Sequence, residues 1–167
     1  CARLQDSTAR CWGYTTYGGI TGETRPFVML NEAGTGPLPG ITQITAGFGS
    51  DPGCARMDDG TARCWRSNGF GGADSLRPQE VPNESGAGPL THITQLTVGY
   101  DHTCARLDDG TARCWGGNDY GGLGDGTYTY RTRPVIVLNE AGTGPLTGIT
   151  EVTAGSKYTC ARLTDGR

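Results

Sequence analysis

Cys104-Ala105-Arg106-Leu107-Asp108-Asp109-Gly110-Thr111-Ala112-Arg113-Cys114-Trp115 is the stretch on which the fold turns. Two short runs flank an Asp-Asp-Gly turn. The natural loop holds three residues and ends with Gly110 in the left-handed conformation, which glycine adopts without steric cost. This register places Leu107 opposite Thr111, Arg106 opposite Ala112, Ala105 opposite Arg113 and Cys104 opposite Cys114. With Leu107 and Thr111 as the closing hydrogen-bonded pair, Cys104 and Cys114 form a non-hydrogen-bonded pair. Such pairs lie about 4.5 Å apart at Cα, within reach of a disulfide.

The string recurs: CARLQDSTARCW starts at Cys1, CARMDDGTARCW at Cys54, and CARLTDGR at Cys160. A second shared block follows in register, as LNEAGTGPLPGITQITAG from Leu30, PNESGAGPLTHITQLTVG from Pro82 and LNEAGTGPLTGITEVTAG from Leu138. Two matched blocks at spacings of 53, 50 and 56 residues define a repeat protein. The repeats run over 1–53, 54–103 and 104–159, with the start of a fourth over 160–167. Each offers about four short strands: one through Ile149–Ala154 or its equivalents, two in the hairpin, and a β-branched run at Pro134–Leu138. Asn139–Pro145 has the composition of an exposed connection. The expected architecture is all-β: a β-propeller of four-stranded blades, three full repeats and part of a fourth, as a segment of a larger ring or array. The first blade lacks its leading strand, and the last stops within its hairpin.

Extending the register gives three expected disulfides, Cys1–Cys11, Cys54–Cys64 and Cys104–Cys114, with Cys160 left over. Zinc ligation is the weaker reading, because its cysteines normally stand two to four residues apart; buried free thiols are the other alternative. Repeated paired cysteines indicate an oxidising, extracellular or cell-surface setting. Ser7 stands where the other turns have Gly60, Gly110 and Gly166, so the turn at residues 5–7 is expected to be strained or differently shaped.

Composition limits function. The 167 residues contain 29 Gly and 9 Pro, carry a net charge of −3 and are 35% hydrophobic, which disfavours long helices. Basic residues, all Arg except Lys157, are scattered, so the footprint of a nucleic-acid partner is missing. No apolar run approaches the ~18 residues of a membrane span. The two histidines offer little catalysis: His92 replaces Gly40 and Gly148 and reads as an exposed substitution, and His102 as a turn-fixing side chain. The Asp-Asp-Gly turns resemble the Asp boxes of glycosidase propellers, but the tryptophan comes too late for that motif. Gly124-Asp125-Gly126-Thr127 offers oxygen ligands without the Asp-x-Asp-x-Asp spacing of a calcium loop. No catalytic residue, metal site or cofactor is expected.

Trp12, Trp65 and Trp115, one per repeat, are expected to pack between blades. Arg3/Arg10, Arg56/Arg63 and Arg106/Arg113 are expected to cover apolar surface with their stems and meet the Asp turns with their heads. Specificity belongs where the repeats differ, at residues 14–24, 66–78 and 117–133. The last stretch carries Tyr120, Tyr128, Tyr130, Arg131 and Arg133, types favoured at interfaces, and these five are the candidate partner-binding residues.

Gly99, His102, Gly110, Trp115, Gly116, Asn118, Gly121, Leu123, Gly124 and Gly126 together resemble the repeat of the regulator of chromosome condensation family. The second repeat departs from it at Arg66 and at Gly71-Gly72-Ala73-Asp74, the first at Thr16. The Cys-Ala start and Cys-Trp end of each hairpin look like secreted bacterial members. The resemblance implies propeller rings of seven blades, with roles from nucleotide exchange on a small GTPase to enzyme inhibition; no functional residue of the family maps onto this chain. The expected function is an extracellular, non-enzymatic scaffold binding a protein or glycan. The alternative is a structural subunit of a surface assembly or filament, and a glycosidase propeller is a remote third.

Overall fold

The computed structural model describes residues 1–13, 23–47, 53–65 and 77–166. The divergent stretches at 14–24 and 66–78, and the departures at Thr16, Arg66 and 71–74, lie almost wholly outside them. Every regular element among the described residues is a strand.

The strands form four antiparallel sheets in which chain neighbours pair. The first holds β1 (Ala2–Arg3), β2 (Ala9–Gly13) and β3 (Glu23–Val28). The second holds β4 (Ile41–Ala46), β5 (Gly53–Met57), β6 (Ala62–Trp65) and β7 (Gln79–Glu80). The third holds β8 (Ile93–Val98), β9 (His102–Leu107), β10 (Ala112–Gly116) and β11 (Arg131–Ile136). The last pairs β12 (Ile149–Ala154) with β13 (Thr159–Leu163). Four-stranded meanders repeated side by side are propeller blades.

The hairpin has the register read from the sequence: Arg106 faces Ala112, Ala105 faces Arg113 and Cys104 faces Cys114. Gly110 is left-handed at φ 76°, and Ser7 is forced into the same region at φ 59°. At each turn the Asp side chain closes the loop. Asp109 Oδ1 accepts from Thr111 N at 2.9 Å and Thr111 Oγ1 at 2.7 Å, and Asp59–Thr61 and Asp6–Thr8 repeat the pattern. These donors hold the three carboxyls below the usual carboxylate range. Cys1–Cys11, Cys54–Cys64 and Cys104–Cys114 are disulfides spanning 4.0–4.1 Å between Cα atoms, and Cys160 is an exposed thiol.

One strand differs from expectation. The fourth strand of the third sheet spans Arg131–Ile136 rather than 134–138, because a bulge between Cys114 and Gly116 lets Gly116 pair with Arg131. Leu138 instead bridges to Pro145, closing the Asn139–Gly144 connection into an ordered loop. Asn139 Oδ1 accepts from Thr143 N at 3.1 Å, as Asn31 does from Thr35.

The core lies between consecutive sheets. Strand alternation sends the cysteine and the hairpin alanines of β2, β6 and β10 toward the following sheet, and the tryptophan toward the preceding one. Trp65 packs with Ala9, Cys11, Met29 and Ile41; Trp115 packs with Ala62, Cys64, Val81 and Ile93. These two rings are 5% and 0% exposed, whereas Trp12, with no preceding sheet among the described residues, is 49% exposed. Gly53 makes room for its neighbour, since a Cβ there would enter the Trp65 ring.

Polar clasps reinforce each inter-sheet joint. Gln43, from β4, donates to Leu96 O and accepts from Leu96 N, both at 2.9 Å. Gln95, from β8, does the same to Val152 at 3.1 and 2.9 Å. Arg106 Nε donates to Ile149 O at 2.6 Å. Arg63 and Arg113 do not hydrogen-bond the Asp turns as expected; the threonine donors take Oδ1 of each aspartate. Each instead donates to its Thr Oγ1 and pairs with a glutamate on the preceding sheet's connection, Glu32 for Arg63 and Glu84 for Arg113. Burial pushes the Glu84 carboxyl up, but the Arg113 hydrogen bond, a backbone hydrogen bond and the Arg113 charge together outweigh it and the net shift is downward.

Candidate partner-binding site

The loop between β10 and β11 carries Tyr120, Tyr128 and Tyr130, Arg131 and Arg133 follow on β11, and the shape of the loop is set from beneath by Asn118. This side chain is buried, donates to Asp125 Oδ1, Thr127 O and Thr129 O at 3.0–3.2 Å, and accepts from Leu123 N at 3.0 Å. Asp125 is the second post. Its carboxylate accepts from Thr127 N and Oγ1 and from Arg131 Nε at 2.7 Å. Burial pushes the Asp125 carboxyl up, yet these donors prevail and hold it below the ordinary range. The acidic group in the Gly-Asp-Gly-Thr stretch thus has Arg131 as its cation.

On this frame the tyrosines point outward: Tyr120, Tyr128 and Tyr130 are 65%, 74% and 48% exposed. Tyr120 and Tyr128 flank an open groove of about 530 Å³ floored by Gly121, Gly124 and Gly126, with Glu140 at its side. Lys157 Nζ stands 4.1 Å above the Tyr120 ring, a cation–π contact. Burial and the Asp101 carboxylate push the Tyr130 phenol up, keeping it a donor at neutral pH. The two arginines are engaged internally: Arg131 with Asp125, and Arg133 Nη1 with Ser85 O on the preceding sheet's connection at 3.0 Å. Arg77 makes the matching bond to Ala33 O, at 2.8 Å. The three tyrosines therefore form the outward surface, and the two arginines help to hold it.

His102 does more than fix a turn. Its ring is buried, and Nε2 lies 2.9 Å from Thr159 Oγ1 on the next sheet, while Thr159 donates to Gly122 O at 2.8 Å. Because that hydroxyl proton is committed, the imidazole donates from Nε2. Burial lowers the His102 pKa against the opposing Asp101 carboxylate, so the ring is a neutral link between sheets. His92 is exposed as expected; it takes the left-handed position of Gly40 and Gly148 (φ 62°) and its Nδ1 lies 3.0 Å from Asp108. Among the described residues no group of three His, Cys, Asp or Glu side chains is placed to hold a metal, and no helix is long and apolar enough to cross a membrane.

The polar clasps and the Asn118 post were missed in the sequence. The Gln clasp had a signal in the repeated Ile-Thr-Gln of 41–43 and 93–95; Asn118 had none beyond its place in the repeat.

The fold and its repeated joints define a class, the tandem-blade β-propeller. The Regulator of chromosome condensation (RCC1) repeat matches residues 93–121 in one form and 109–162 in another. These matches support an RCC1-like repeat over residues 93–162. No curated protein sequence matches it. Among solved structures, human WBSCR16 is similar at a TM-score of 0.74 and 18% identity over 94% of this chain and 40% of that one. Prp20p from Saccharomyces cerevisiae, described with its binding to Gsp1p and histones, gives 0.62 and 19% over 95% and 36%. Yeast RCC1 (Prp20) bound to Kap60 gives 0.59 and 20% over 95% and 35%. The chain thus spans less than half the length of these relatives, and at these identities the likeness is one of fold.

Proposed function

We propose that this chain is a secreted, extracellular and non-enzymatic propeller scaffold that binds a protein or glycan partner through the loop at 117–130. The observation that carries this reading is the pairing of outward tyrosines with a buried polar frame. Asn118 and Asp125 fix the loop before any partner arrives, so little ordering entropy is lost on binding. Tyrosine supplies broad amphipathic contact with few rotatable bonds. Three disulfides fit an oxidising compartment; among RCC1-repeat proteins the secreted bacterial members share that setting. The solved relatives include proteins that bind other proteins, which favours a protein partner over a glycan.

The test is an array of glycans and extracellular proteins probed with the native chain and with Tyr120→Ala/Tyr128→Ala. The native chain should bind a defined subset, and the double variant should lose at least tenfold in affinity. Equal binding by both would place recognition elsewhere. A second reading, a structural subunit of a surface assembly, is favoured by the joints themselves, since the Gln clasps and Glu–Arg pairs recur from sheet to sheet. Continuous filaments in electron micrographs would support it over discrete particles.

A further inference from the structure

The connection that follows each outer strand opens with the same asparagine, and the second copy differs from the others at two positions around it. The first and third copies read Asn31-Glu32-Ala33-Gly34-Thr35 and Asn139-Glu140-Ala141-Gly142-Thr143, whereas the second reads Asn83-Glu84-Ser85-Gly86-Ala87. In the first copy Asn31 Nδ2 donates to Thr35 Oγ1 at 3.4 Å, and Asn31 Oδ1 accepts from Thr35 N at 3.1 Å. Ala87 removes that hydroxyl from the second copy. There Asn83 Oδ1 accepts from Ser85 Oγ at 2.7 Å and from Gly86 N at 2.9 Å, and Nδ2 has no acceptor among the described residues. The two exchanges set a hydroxyl beside the Asn83 amide and free its nitrogen. Asn83 is half-buried, and residues 84–87 are exposed. Asn83 N closes the loop on Gly88 O at 2.7 Å, and the Glu84–Arg113 pair and the Arg133 bond to Ser85 O tie it to the third sheet.

We infer that Asn83 is the attachment site of an N-linked glycan. Asn-X-Ser, with X other than Pro, is the acceptor pattern for that modification on the surface loops of secreted proteins, and the 167 residues contain an Asn-X-Ser or Asn-X-Thr triplet only here. The inference rests on the extracellular reading above. The donor is a sugar carried on a diphosphate. Asn83 Nδ2 bonds to C1 of the sugar and the bond from C1 to the diphosphate oxygen breaks. The diphosphate leaves with that electron pair, and one Nδ2 proton passes to a base of the transferring enzyme. The product is still an amide whose Oδ1 accepts hydrogen bonds, so the bonds from Ser85 and Gly86 persist and the loop keeps its shape around the glycan.

The test is peptide mass spectrometry of the full chain as its own cells export it, before and after an amidase that hydrolyses the bond between glycan and asparagine. Peptides that contain Asn83 should carry hexose or N-acetylhexosamine mass, and the amidase should leave aspartate at 83. Asn83→Gln should lose the sugar, as should Ser85→Ala, which restores the residue of the other two copies. Ser85→Thr keeps the hydroxyl and should keep the sugar. Circular dichroism checks that each variant folds. A bare Asn83 in a chain whose three disulfides are formed would overturn the site and leave the extracellular reading standing. A bare Asn83 in a chain whose cysteines are all free would overturn both. Sugar retained at Asn83 in Ser85→Ala would also overturn the proposal, because attachment would then be independent of the hydroxyl.

Discussion

Replacing Gln95 with leucine should unlock the third sheet from β12. The Gln95 amide reads both the N–H and the C=O of Val152, at 2.9 and 3.1 Å, in a residue that is itself buried. Leucine keeps most of the volume but leaves both backbone groups without that partner. A buried polar group stripped of its hydrogen bond costs about 1–3 kcal/mol, so the two together should cost about 2–4 kcal/mol after partial relaxation. In a domain of this size that corresponds to a fall in Tm of about 5–12 °C. Gln95→Glu is the subtler perturbation. One carboxylate oxygen still accepts from Val152 N, but the other faces Val152 O with no proton to donate, and the loss should be about half as large. Facing a carbonyl disfavours the charged form, so the folded state raises this carboxyl's pKa. Stability of the variant is therefore full below the ordinary glutamate range and is lost as pH rises through the raised value. Urea denaturation gives the magnitude, and exchange of the Val152 amide with deuterium gives a readout confined to the joint. A Gln95→Leu chain within 0.5 kcal/mol of the native one, with Val152 exchange unchanged, would refute the clasp as a source of cohesion.

Three further outcomes follow from particular side chains. Ser7→Gly should stabilise the first hairpin by about 0.5–1 kcal/mol, since glycine accepts the left-handed φ of 59° at no steric cost but orders a freer chain; denaturant titration measures it. His102 is buried neutral with a lowered pKa, so the unfolded chain binds the extra proton first. Stability should fall as pH drops from about 6.5 toward the folded value, and His102→Gln should flatten that part of the pH profile. Reduction of the disulfides should cost about 2–3 kcal/mol for each short loop opened, seen as a stepwise loss of Tm as the bridges are removed pairwise by Cys→Ala substitution.

The backbone plan was legible because it is written in positions that leave the chain few choices. The ten-residue spacing of paired cysteines and the Asp-Asp-Gly turns fix the hairpin register, and glycine at the turn explains why Ser7 is strained. Three matched copies then force the same sheet three times. The joints were harder to read, because they depend on which faces meet across 50 residues or more. Gln43 and Gln95 share a repeated Ile-Thr-Gln on short strands, but that local pattern does not say which sheet their amides reach. Arg63 and Arg113 were expected at the Asp turns, but each bonds the turn's threonine and a glutamate across the joint, while that threonine takes Oδ1 of the aspartate. The same logic divided the candidate site. Tyrosine and arginine are equally at home on an interface by composition, and only the placement of Asp125 and Ser85 shows that Arg131 and Arg133 are tied to the chain's own groups.

Peptide mapping of the non-reduced protein by mass spectrometry bears most directly on the repeated hairpin at the centre of this account. It should recover Cys1–Cys11, Cys54–Cys64 and Cys104–Cys114 as the three linked pairs, with Cys160 alone taking up an alkylating reagent. A bridge that joins two different repeats, or one that includes Cys160 in place of an expected partner, would mean that the strands pair in another register and that the stacked sheets are wrong.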